Sequence, residues 1–486
     1  MQEKKDINWN FENSFLNLPH EMFSKQKPNL VNSPEIILIN YKLSEQLGLN
    51  LKSINTINLA KSFSGNKIPE NIDTYSFAYA GHQFGHFTIL GDGRAILLGE
   101  HINKNKRYDI QFKGSGKTKY SRNGDGKAAL GPMLREYIIS EAMYSLNIPT
   151  TRSLAVVKTG DKVLREKELP GAILTRVASS HIRVGTFQFF TYKKDEKNLE
   201  TLIDYTIKRH FPEINKDENK YINLIDRLMD KQINLVVNWM RVGFIHGVMN
   251  TDNMSLSGET IDYGPCAFMD TYDPKTVFSS IDHFGRYAYC NQPTITKWNL
   301  ARFAECLIPF LSKDKNEAIE IATSKINEFD KIYERKWLNM MREKLGILDE
   351  DKQDEVLIFD LLQWMHLNKA DYTNTFCNLM DENIIRDPIY KKKDFIDWKD
   401  RLKLRLSKFK DKIREVNLIM KNSNPLVIPR NQKVEEALEA AENNDLSKMK
   451  KLLEVLNSPY DINDDFEEFQ KPENVSKVGY KTYCGT

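Results

Sequence analysis

The chain has 486 residues, of which 41% are hydrophobic and 28% charged, so it is long enough for a large core and for more than one domain. Its 70 basic and 67 acidic residues leave a net charge of +3, which argues against nucleic acid or an anionic membrane surface as the main partner. No run of about 18 apolar residues occurs, and the N-terminal segment MQEKKDINWN has no apolar core. We therefore expect a soluble, cytoplasmic protein without a signal or transit peptide.

The cysteines show no paired spacing, which argues against a zinc site or a disulfide framework. They are Cys266, Cys290, Cys306, Cys377 and Cys484. Cys484 lies third from the C-terminus, where an exposed thiol on a mobile tail can take part in exchange.

The N-terminal segment predicts an amphipathic helix over residues 33–47, and a glycine-rich segment, YAGHQFGHFTILGDGRAILLGE, follows from Tyr79. Apolar strands over 87–90 and 95–98 flank Gly91-Asp92-Gly93, which predicts a β-hairpin. Its backbone N–H groups can approach phosphate closely, with Arg94 adding charge, although a plain hairpin is the alternative.

The histidines of this segment, His82 and His86, have the spacing of metal ligands on a helix. Gly81 and Gly85 disfavour a helix there, so we do not expect a metal site.

A strand over 108–112 presents Lys113 at its end, and the loop GSGKTKYSRNGDGKAAL follows with Asp125 and Gly126. The loop has the composition of a P-loop, but its spacing differs from Walker A, so that motif is excluded. A helix predicted from Pro132 to about residue 146 carries Glu136 near the edge of its apolar stripe. A strand lysine and a glutamate on the next helix form the ion pair that positions phosphates in kinases, and an ordinary surface pair is the alternative.

The composition predicts β-structure over 148–190 and mainly helices from residue 199 onward. Arg176 and Arg183 lie in an apolar part of the β segment, where guanidinium groups suit a phosphate, or else a structural pairing with carboxylates. The predicted helices cover 233–244, 298–311, 315–345, 357–368 and 432–456, the last with a break at 443–445.

The segment 246–270, HGVMNTDNMSLSGETIDYGPCAFMD, carries the strongest chemical signal. It places Asp252 next to Asn253 and then, after a Ser-Gly turn, presents Asp262. Carboxylate and amide oxygens suit Mg2+ together with nucleotide phosphates, and only Asp252 of the adjacent pair can act as a proton acceptor. A polar β-hairpin whose Asp and Asn merely form turns is the alternative.

A β-rich part with a strand lysine and a helix glutamate, followed by a helical part with an Asp-Asn…Asp-Tyr-Gly motif, has the order of a protein-kinase-like fold. However, a kinase places its catalytic Asp several residues before the Asn, whereas Asp252 and Asn253 are adjacent here and no His-Arg-Asp occurs. An ordinary kinase assignment therefore fails.

Long ordered blocks of this chain resemble the selenoprotein O family, from Tyr79 to the final tripeptide. Among them are YAGHQFG, LGDGRA, FKGSGKTKYSRNGDGKAALG, LREYIISEAM, PGAILTRVASSHIRVGTF, SSIDHFGRYAYCNQP and WNLARFAE, together with the 246–270 segment. The resemblance implies a pseudokinase-like protein adenylyltransferase that moves AMP from ATP to Ser, Thr or Tyr hydroxyls of proteins and releases pyrophosphate. It also implies a nucleotide held in the reverse of the kinase orientation, and UMP transfer from UTP with Mn2+ is attributed to bacterial members.

The implied fold class is α+β, a protein-kinase-like two-lobed fold. An N-terminal extension (1–70) would precede a β-rich nucleotide-binding lobe (71–190), a helical lobe with the catalytic motif (191–430) and a helical tail with a redox cysteine (431–486). We expect a monomer whose partners are ATP, or UTP, and protein substrates, with no nucleic acid and no membrane.

The resemblance also implies the roles of individual residues. Asp252 would be the general base, and Asn253 with Asp262 would ligate Mg2+ or Mn2+. The implied nucleotide-binding residues are Gly91, Gly93, Arg94, Lys113, Asp125, Gly126, Glu136, Arg176, Arg183 and Asp262.

A disulfide between Cys266 and Cys484 would give redox control, with two unpaired thiols as the alternative. The chain departs from the usual family pattern at Lys127, where arginine is common, and at Cys290, where glycine is common and which adds a second possible thiol partner. A true protein kinase and a non-catalytic nucleotide-binding redox sensor are the rival functions.

Overall fold

The computed structural model describes residues 6–70, 72–462, 466–472 and 480–482. Within these ranges the strands are β1 (Phe11–Glu12), β2 (Phe23–Lys25), β3 (Glu35–Ile39), β4 (Tyr75–Phe77), β5 (Ala80–Gln83), β6 (His86–Ile89), β7 (Ala95–Asn103), β8 (Lys106–Lys113), β9 (Ala128–Ala129), β10 (Arg152–Leu164), β11 (Glu168–Ala178), β12 (Phe244–Ile245) and β13 (Ala267–Phe268).

The α-helices of the same ranges are α1 (Tyr41–Gln46), α2 (Thr56–Phe63), α3 (Leu130–Ser145), α4 (Val184–Lys193), α5 (Glu196–His210), α6 (Lys220–Val242), α7 (Gln292–Leu311), α8 (Lys315–Leu345), α9 (Asp354–Asn368), α10 (Tyr372–Met380), α11 (Lys393–Leu406), α12 (Ile413–Ser423), α13 (Asn431–Glu442), α14 (Ser447–Leu456) and α15 (Phe466–Gln470). The fold is thus mixed α+β, with most strands before residue 179 and most helices after it.

The main sheet is antiparallel, with strand order β2-β4-β7-β8-β11-β10-β3, and β1 and β9 add to β7 and β11. The strand predicted over 108–112 is confirmed as β8, which lies between β7 and β11. Its register places Lys113 opposite Ala95 on one side and Leu174 on the other. Lys113 therefore emerges from the middle of the sheet, which fixes the position of its backbone.

The helix predicted over residues 33–47 is wrong in its first half. Residues Glu35–Ile39 form β3, which pairs with β10, and only Tyr41–Gln46 are helical. The sequence EIILI is rich in β-branched isoleucine, and an available sheet edge favours its extended form over a helix. The Asn40 side chain then accepts a hydrogen bond from Leu43 N–H and starts the short helix.

The predicted hairpin around Gly91-Asp92-Gly93 is also wrong. β6 pairs with β5 instead, whereas β7 pairs with β4 and β8, so residues 91–93 connect two separate sheets. The true hairpin turn is Phe84-Gly85, where φ is 51° and 88°. Two positive φ values suit a two-residue turn with the twist of a hairpin.

The β-structure predicted over 148–190 is confirmed for β10 and β11, which pair along most of their lengths. The end of the segment differs, because residues from Val184 form α4. The hydroxyl of Thr186 accepts a hydrogen bond from the backbone N–H of Arg183 at 3.1 Å, which caps this helix. A local capping contact therefore favours the helix here over the β propensity of the sequence.

In the helical part, α7, α8, α9, α13 and α14 cover the expected ranges, whereas the helix predicted over 233–244 is the C-terminal part of α6, which begins at Lys220 and ends at Val242. Gly243 follows with a positive φ of 71° and terminates α6. β12 and β13 then pair and bracket the loop 246–266. This loop holds a 3-10 turn at Thr251–Asn253 and not the long polar hairpin considered as an alternative.

The helix pair α13 and α14 packs on α3, which itself lies against β10 and β11. Arg430, just before α13, forms ion pairs with Asp270 (2.5 Å) and Asp371 (2.7 Å). This buried junction joins the C-terminal helices to the end of the 246–270 segment. Within the described ranges, no helix has both the length and the apolar composition that a membrane span requires.

Candidate functional site

A cavity of about 1220 Å³ lies between the main sheet and the loop 246–266. Its walls come from β7, β8, α3, β11, the loop 120–127 and α13. The structure brings to this cavity every residue for which the sequence implied a nucleotide, metal or catalytic role. These residues are Gly91, Gly93, Arg94, Lys113, Asp125, Gly126, Glu136, Arg176, Arg183, Asp252, Asn253 and Asp262.

The floor of the cavity is a network in which two carboxylates share their cations. Lys113 Nζ lies 2.7 Å from Glu136 Oε2 and 3.0 Å from Asp262 Oδ1. Arg176 bridges the same two acids, with its Nη2 2.6 Å from each. Glu136 is buried on α3, so the alternative of an exposed Lys113–Glu136 pair is wrong.

Arg183 reaches the network from the start of α4. Its Nη1 donates to Asp262 Oδ2 and to the backbone carbonyl of Asp252, both at 3.0 Å. Its guanidinium also lies over the Tyr79 ring at 4.6 Å. Arg176 and Arg183 therefore pair with carboxylates, as the structural alternative predicted, while both still face the cavity.

The charge state of Asp262 follows from these neighbours. Burial raises the pKa of its carboxyl, but Arg176, Lys113 and Arg183 outweigh burial and hold the pKa well below its ordinary value. The side chain is 22% exposed, so the anion faces the cavity and is available to a ligand there.

Asp252 is in the opposite electrostatic situation. Burial raises the pKa of its carboxyl to about 6, and the nearby charge of Arg183 offsets this only in part. Its Oδ1 is buried without a hydrogen-bond partner among the described residues. A carboxylate with a pKa near neutrality and a free oxygen is suited to accept a proton.

The position of Asp252 depends on a close approach of β5. A Cβ added at Gly81 would collide with the Asp252 carboxylate, so only glycine allows this strand to pass there. The backbone N–H of His82 donates to the Thr251 hydroxyl at 2.7 Å, which holds the strand against the loop. The role of Gly81 was missed from the sequence, although its place in a glycine-rich motif was a usable signal.

Asn253 and Asp262 provide oxygens that suit a divalent cation. The Asn253 amide nitrogen donates to the carbonyl of Val248 at 2.9 Å, which leaves its amide oxygen available. No group of three or more His, Cys, Asp or Glu side chains arranged to hold a metal occurs in the described part of the chain. Mg2+ commonly uses only one or two carboxylates together with water and phosphate oxygens, so this donor set fits it.

The two glycine segments meet at the mouth of the cavity. The Thr118 hydroxyl donates to the carbonyl of Asp92 at 2.6 Å. Gly126, with φ of 70°, lies so close to the backbone of Gly116 that a side chain would clash. Asp125 pairs with Arg165 at 2.9 Å, and both residues line the cavity.

The chain end returns to the rim of the cavity. The Tyr480 hydroxyl lies 3.1 Å from Arg135 Nη1, and Arg135 Nη2 donates to the carbonyl of Cys266 at 2.6 Å. Thr482 donates to the carbonyl of Pro265 at 2.7 Å. These contacts place the end of the described chain beside the 246–270 segment.

Of the two cysteines implied in redox control, the structure describes only Cys266. Cys266 is buried, and burial raises the pKa of its thiol to about 12. Cys484 lies outside the described residues, so the Cys266–Cys484 disulfide stays a prediction. Cys290, the other possible partner, is exposed.

Comparison with known proteins identifies the family. The family model described as "Protein adenylyltransferase SelO" matches residues 5–457. A "Protein nucleotidyltransferase YdiU" of Pelagibacter ubique is 57% identical over 481 residues, which cover 99% of this chain and 100% of that protein. Proteins with the same description from Clostridium botulinum (55% identical, 100% of both chains) and Nitrosococcus oceani (53% identical, 99% of this chain and 98% of the relative) are similar over the same extent. The resemblance seen in the sequence blocks is thereby confirmed: the chain belongs to the SelO family of protein adenylyltransferases.

Proposed function

We propose that this protein transfers AMP from ATP to a Ser, Thr or Tyr hydroxyl of a protein substrate and releases pyrophosphate. One observation carries the site assignment. Lys113, Arg176 and Arg183 converge on Asp262 in one cavity. Membership of a family of protein adenylyltransferases supports the reaction class.

The positive charge at the site suits the phosphates of ATP. Besides those three cations, Arg94 also lines the cavity. Four cationic side chains match a triphosphate better than a single transferred phosphoryl group. Preorganised cations stabilise the charge that develops on the leaving pyrophosphate, and this effect is usually the largest single contribution to such a reaction.

Asp252 is the proton acceptor in this proposal. Its free, buried Oδ1 and raised pKa support the role. The acceptor hydroxyl gives its proton to this carboxylate while its oxygen forms a bond to the α-phosphorus. The bond from the α-phosphorus to the bridging oxygen breaks, and pyrophosphate leaves with the electron pair.

Asn253 and Asp262 would hold Mg2+ or Mn2+, which when bound supplies positive charge to the phosphate oxygens. The cations now paired with Asp262 would then turn to the phosphates. Glu136 keeps Lys113 and Arg176 in place, since it contacts both of them.

We also propose the protein-kinase-like two-lobed arrangement, with lobes over 71–190 and 191–430 and the nucleotide between them. The ion pair from β8 to α3 and the position of the 246–266 loop across the cavity support it. The nucleotide would lie with its α-phosphorus toward Asp252, the reverse of a kinase.

The test compares ATP labelled at the α-phosphate with ATP labelled at the γ-phosphate, using the full chain and a mixture of cell proteins. Label on protein from the α position only is expected. Label from the γ position only would favour the kinase alternative, and no label from either would favour the non-catalytic sensor.

Matched variants make this test specific. Asp252→Asn and Asp262→Asn should abolish α-labelling, whereas Asp411→Asn, a change at an exposed aspartate, should not. Competition of the α-label by unlabelled UTP measures whether UMP transfer is a second activity. Repeating the reaction with Mg2+ or Mn2+ identifies the preferred cation.

A further inference from the structure

The segment 280–287 forms a capped turn beside the catalytic loop. Both carboxylate oxygens of Asp282 accept backbone N–H groups, from Arg286 at 2.9 Å and from Tyr287 at 2.8 Å. The turn is therefore held in one conformation. Even so, it presents Phe284 with 99% of its surface exposed, which is unusual for a large apolar side chain in an ordered turn.

This turn is connected to Asp252 through Asn250. The Asn250 side-chain oxygen accepts from the Tyr287 hydroxyl at 2.7 Å and from the backbone N–H of Phe84 at 3.0 Å. The Phe84 and Tyr287 rings also pack with centroids 5.0 Å apart. The β5–β6 hairpin, the 280–287 turn and the segment leading to Asp252 thus form one connected unit.

Arg286 is the cation of this unit. Its guanidinium lies 4.9 Å from the Trp298 ring centroid and 3.7 Å from the position a Cβ would take on Gly85. Among the described residues no carboxylate forms an ion pair with Arg286, and its Nε is buried without a hydrogen-bond partner.

The neighbouring charged side chains that the structure describes do not pair with the Arg286 guanidinium. The guanidinium of Arg302 lies over the same Trp298 ring at 5.0 Å, but it pairs with Glu305 at 2.6 Å. Asp282 uses its oxygens on backbone N–H groups. The charges of Arg302 and Arg286 both act to lower the pKa of His82, although burial is the larger cause.

The distance from Arg286 to Asp252 corresponds to a short stretch of polypeptide. Gly85 adjoins Arg286, and Gly81 adjoins the Asp252 carboxylate. The chain from Gly81 to Gly85 leaves β5 and enters the Phe84-Gly85 turn, so the two glycines lie closer together than the roughly 13 Å that four residues of extended strand would span. A bound extended peptide with its hydroxyl at Asp252 would therefore place a side chain within about four residues of that hydroxyl beside Arg286.

We propose that Arg286 and Phe284 form a docking surface for the acceptor protein, which binds an acidic side chain within about four residues of the modified hydroxyl. The inference rests on the proposed function, because it takes Asp252 as the position of the acceptor. Charge complementarity identifies the partner: an Arg guanidinium without a carboxylate presents a fork that matches one. Arg286 is not among the residues that line the nucleotide cavity, so ATP phosphate does not account for it.

The experiment uses fluorescent peptides with one central Ser, Thr or Tyr, in sets that carry Asp or Asn two, three and four residues to either side. Binding to the full chain is measured by anisotropy without ATP, and α-label transfer is measured in parallel. The Asp peptides should bind the protein about tenfold more tightly than the Asn peptides. Arg286→Gln should remove this preference, and Arg286→Glu should shift it to Lys-containing peptides.

The controls separate docking from folding and from the reaction. Arg414→Gln, a change at an exposed arginine on α12, should leave the preference intact, and Phe284→Ser should weaken binding of both peptide sets. Equal binding of the Asp and Asn peptides, or a preference that survives Arg286→Glu, overturns the docking surface even where α-label is transferred. Label from the γ-phosphate alone overturns the proposed function, while a preference dependent on Arg286 still supports the docking surface.

Discussion

Two buried networks of basic and acidic side chains lie along the same face of β8, one toward each end of the strand, and they differ in how far their carboxylates are exposed. In the first, Arg209 pairs with Asp109 (2.6 Å) and Glu100 (3.3 Å), and Arg107 pairs with Glu100 (2.8 Å). The two carboxylates are almost completely buried. We call this the back network.

In the second, the site network, Lys113, Arg176 and Arg183 all contact Asp262, which is partly exposed to the cavity, and they also pair with the buried carboxylates of Glu136 and Asp92. A network whose carboxylates are fully enclosed has no contact that a ligand can replace. Such a network either stabilises the fold or contributes little to its net stability. A network in which several cations share one partly exposed carboxylate can give up contacts to an incoming anion. The comparison therefore separates a structural ion cluster from a binding one by the exposure of a shared carboxylate, and not by residue type.

The largest effect on catalysis is expected for Asp252→Asn. The amide cannot accept the proton, so kcat should fall by about 10²- to 10⁴-fold. ATP binding, measured by calorimetry, should change little because the cations of the site network remain. Retention of more than half of the wild-type kcat would show that another group is the base.

Asp109→Asn tests the back network. Burial raises the pKa of this carboxyl, but Arg209 and His181 outweigh it and hold the pKa at about 2, so the group is fully charged at neutral pH. Its removal leaves Arg209 without its closest partner, and unfolding in urea should show a loss of about 3–5 kcal/mol. The kcat of the folded fraction should stay unchanged.

The exposed pair of Lys162 and Glu168, 2.7 Å apart, is the control for that measurement. Lys162→Met should alter the free energy of unfolding by less than about 0.5 kcal/mol, because water and salt screen an exposed pair. A larger loss there than at Asp109 would contradict the assignment of the back network as structural.

Arg176→Lys should have a smaller effect on the site network. Lysine keeps the charge but lacks the fork that contacts Glu136 and Asp262 together, so kcat/KM should fall by about tenfold. The free energy of unfolding is measured alongside. A fall in stability with unchanged kcat/KM would show that Arg176 has only a structural role.

The pH dependence gives the smallest expected change near neutrality. The carboxylate form of Asp252 is the active one and its pKa is raised to about 6, so kcat/KM should be level above that pH and fall about tenfold per unit below it. The residual activity of Asp252→Asn should lack this limb. A wild-type kcat/KM that stays level down to about pH 5 would contradict the assignment of Asp252.

Much of the local structure could be predicted from the sequence, because it depends on short-range patterns. The strand before Lys113, the helix that carries Glu136 and the break between α13 and α14 all follow from apolar periodicity and turn residues. The candidate residues of the cavity also came from the sequence, through motif and family resemblance. Their chemical roles stay predictions until the variants are measured.

The two strand errors have different physical causes. Residues 86–89 paired with β5 because Phe84-Gly85 makes the tighter local turn, whereas residues 35–39 became a strand because β10 offered them an edge. The second pairing depends on a partner distant in the chain, which local propensity does not report. The roles of Gly81 and Arg286 were also missed from the sequence, because they depend on what these residues contact in the folded chain.

The sequence by itself determined the family, the mixed α+β composition and the adjacency of Asp252 and Asn253, since each is a property of residue order. Only the tertiary structure decided that three cations share Asp262, that burial moves the pKa of Asp252 toward neutrality and that Arg286 has no carboxylate partner among the described residues. These properties depend on burial and on distances between residues far apart in the chain, because electrostatic energies depend on the local dielectric environment and on separation in space.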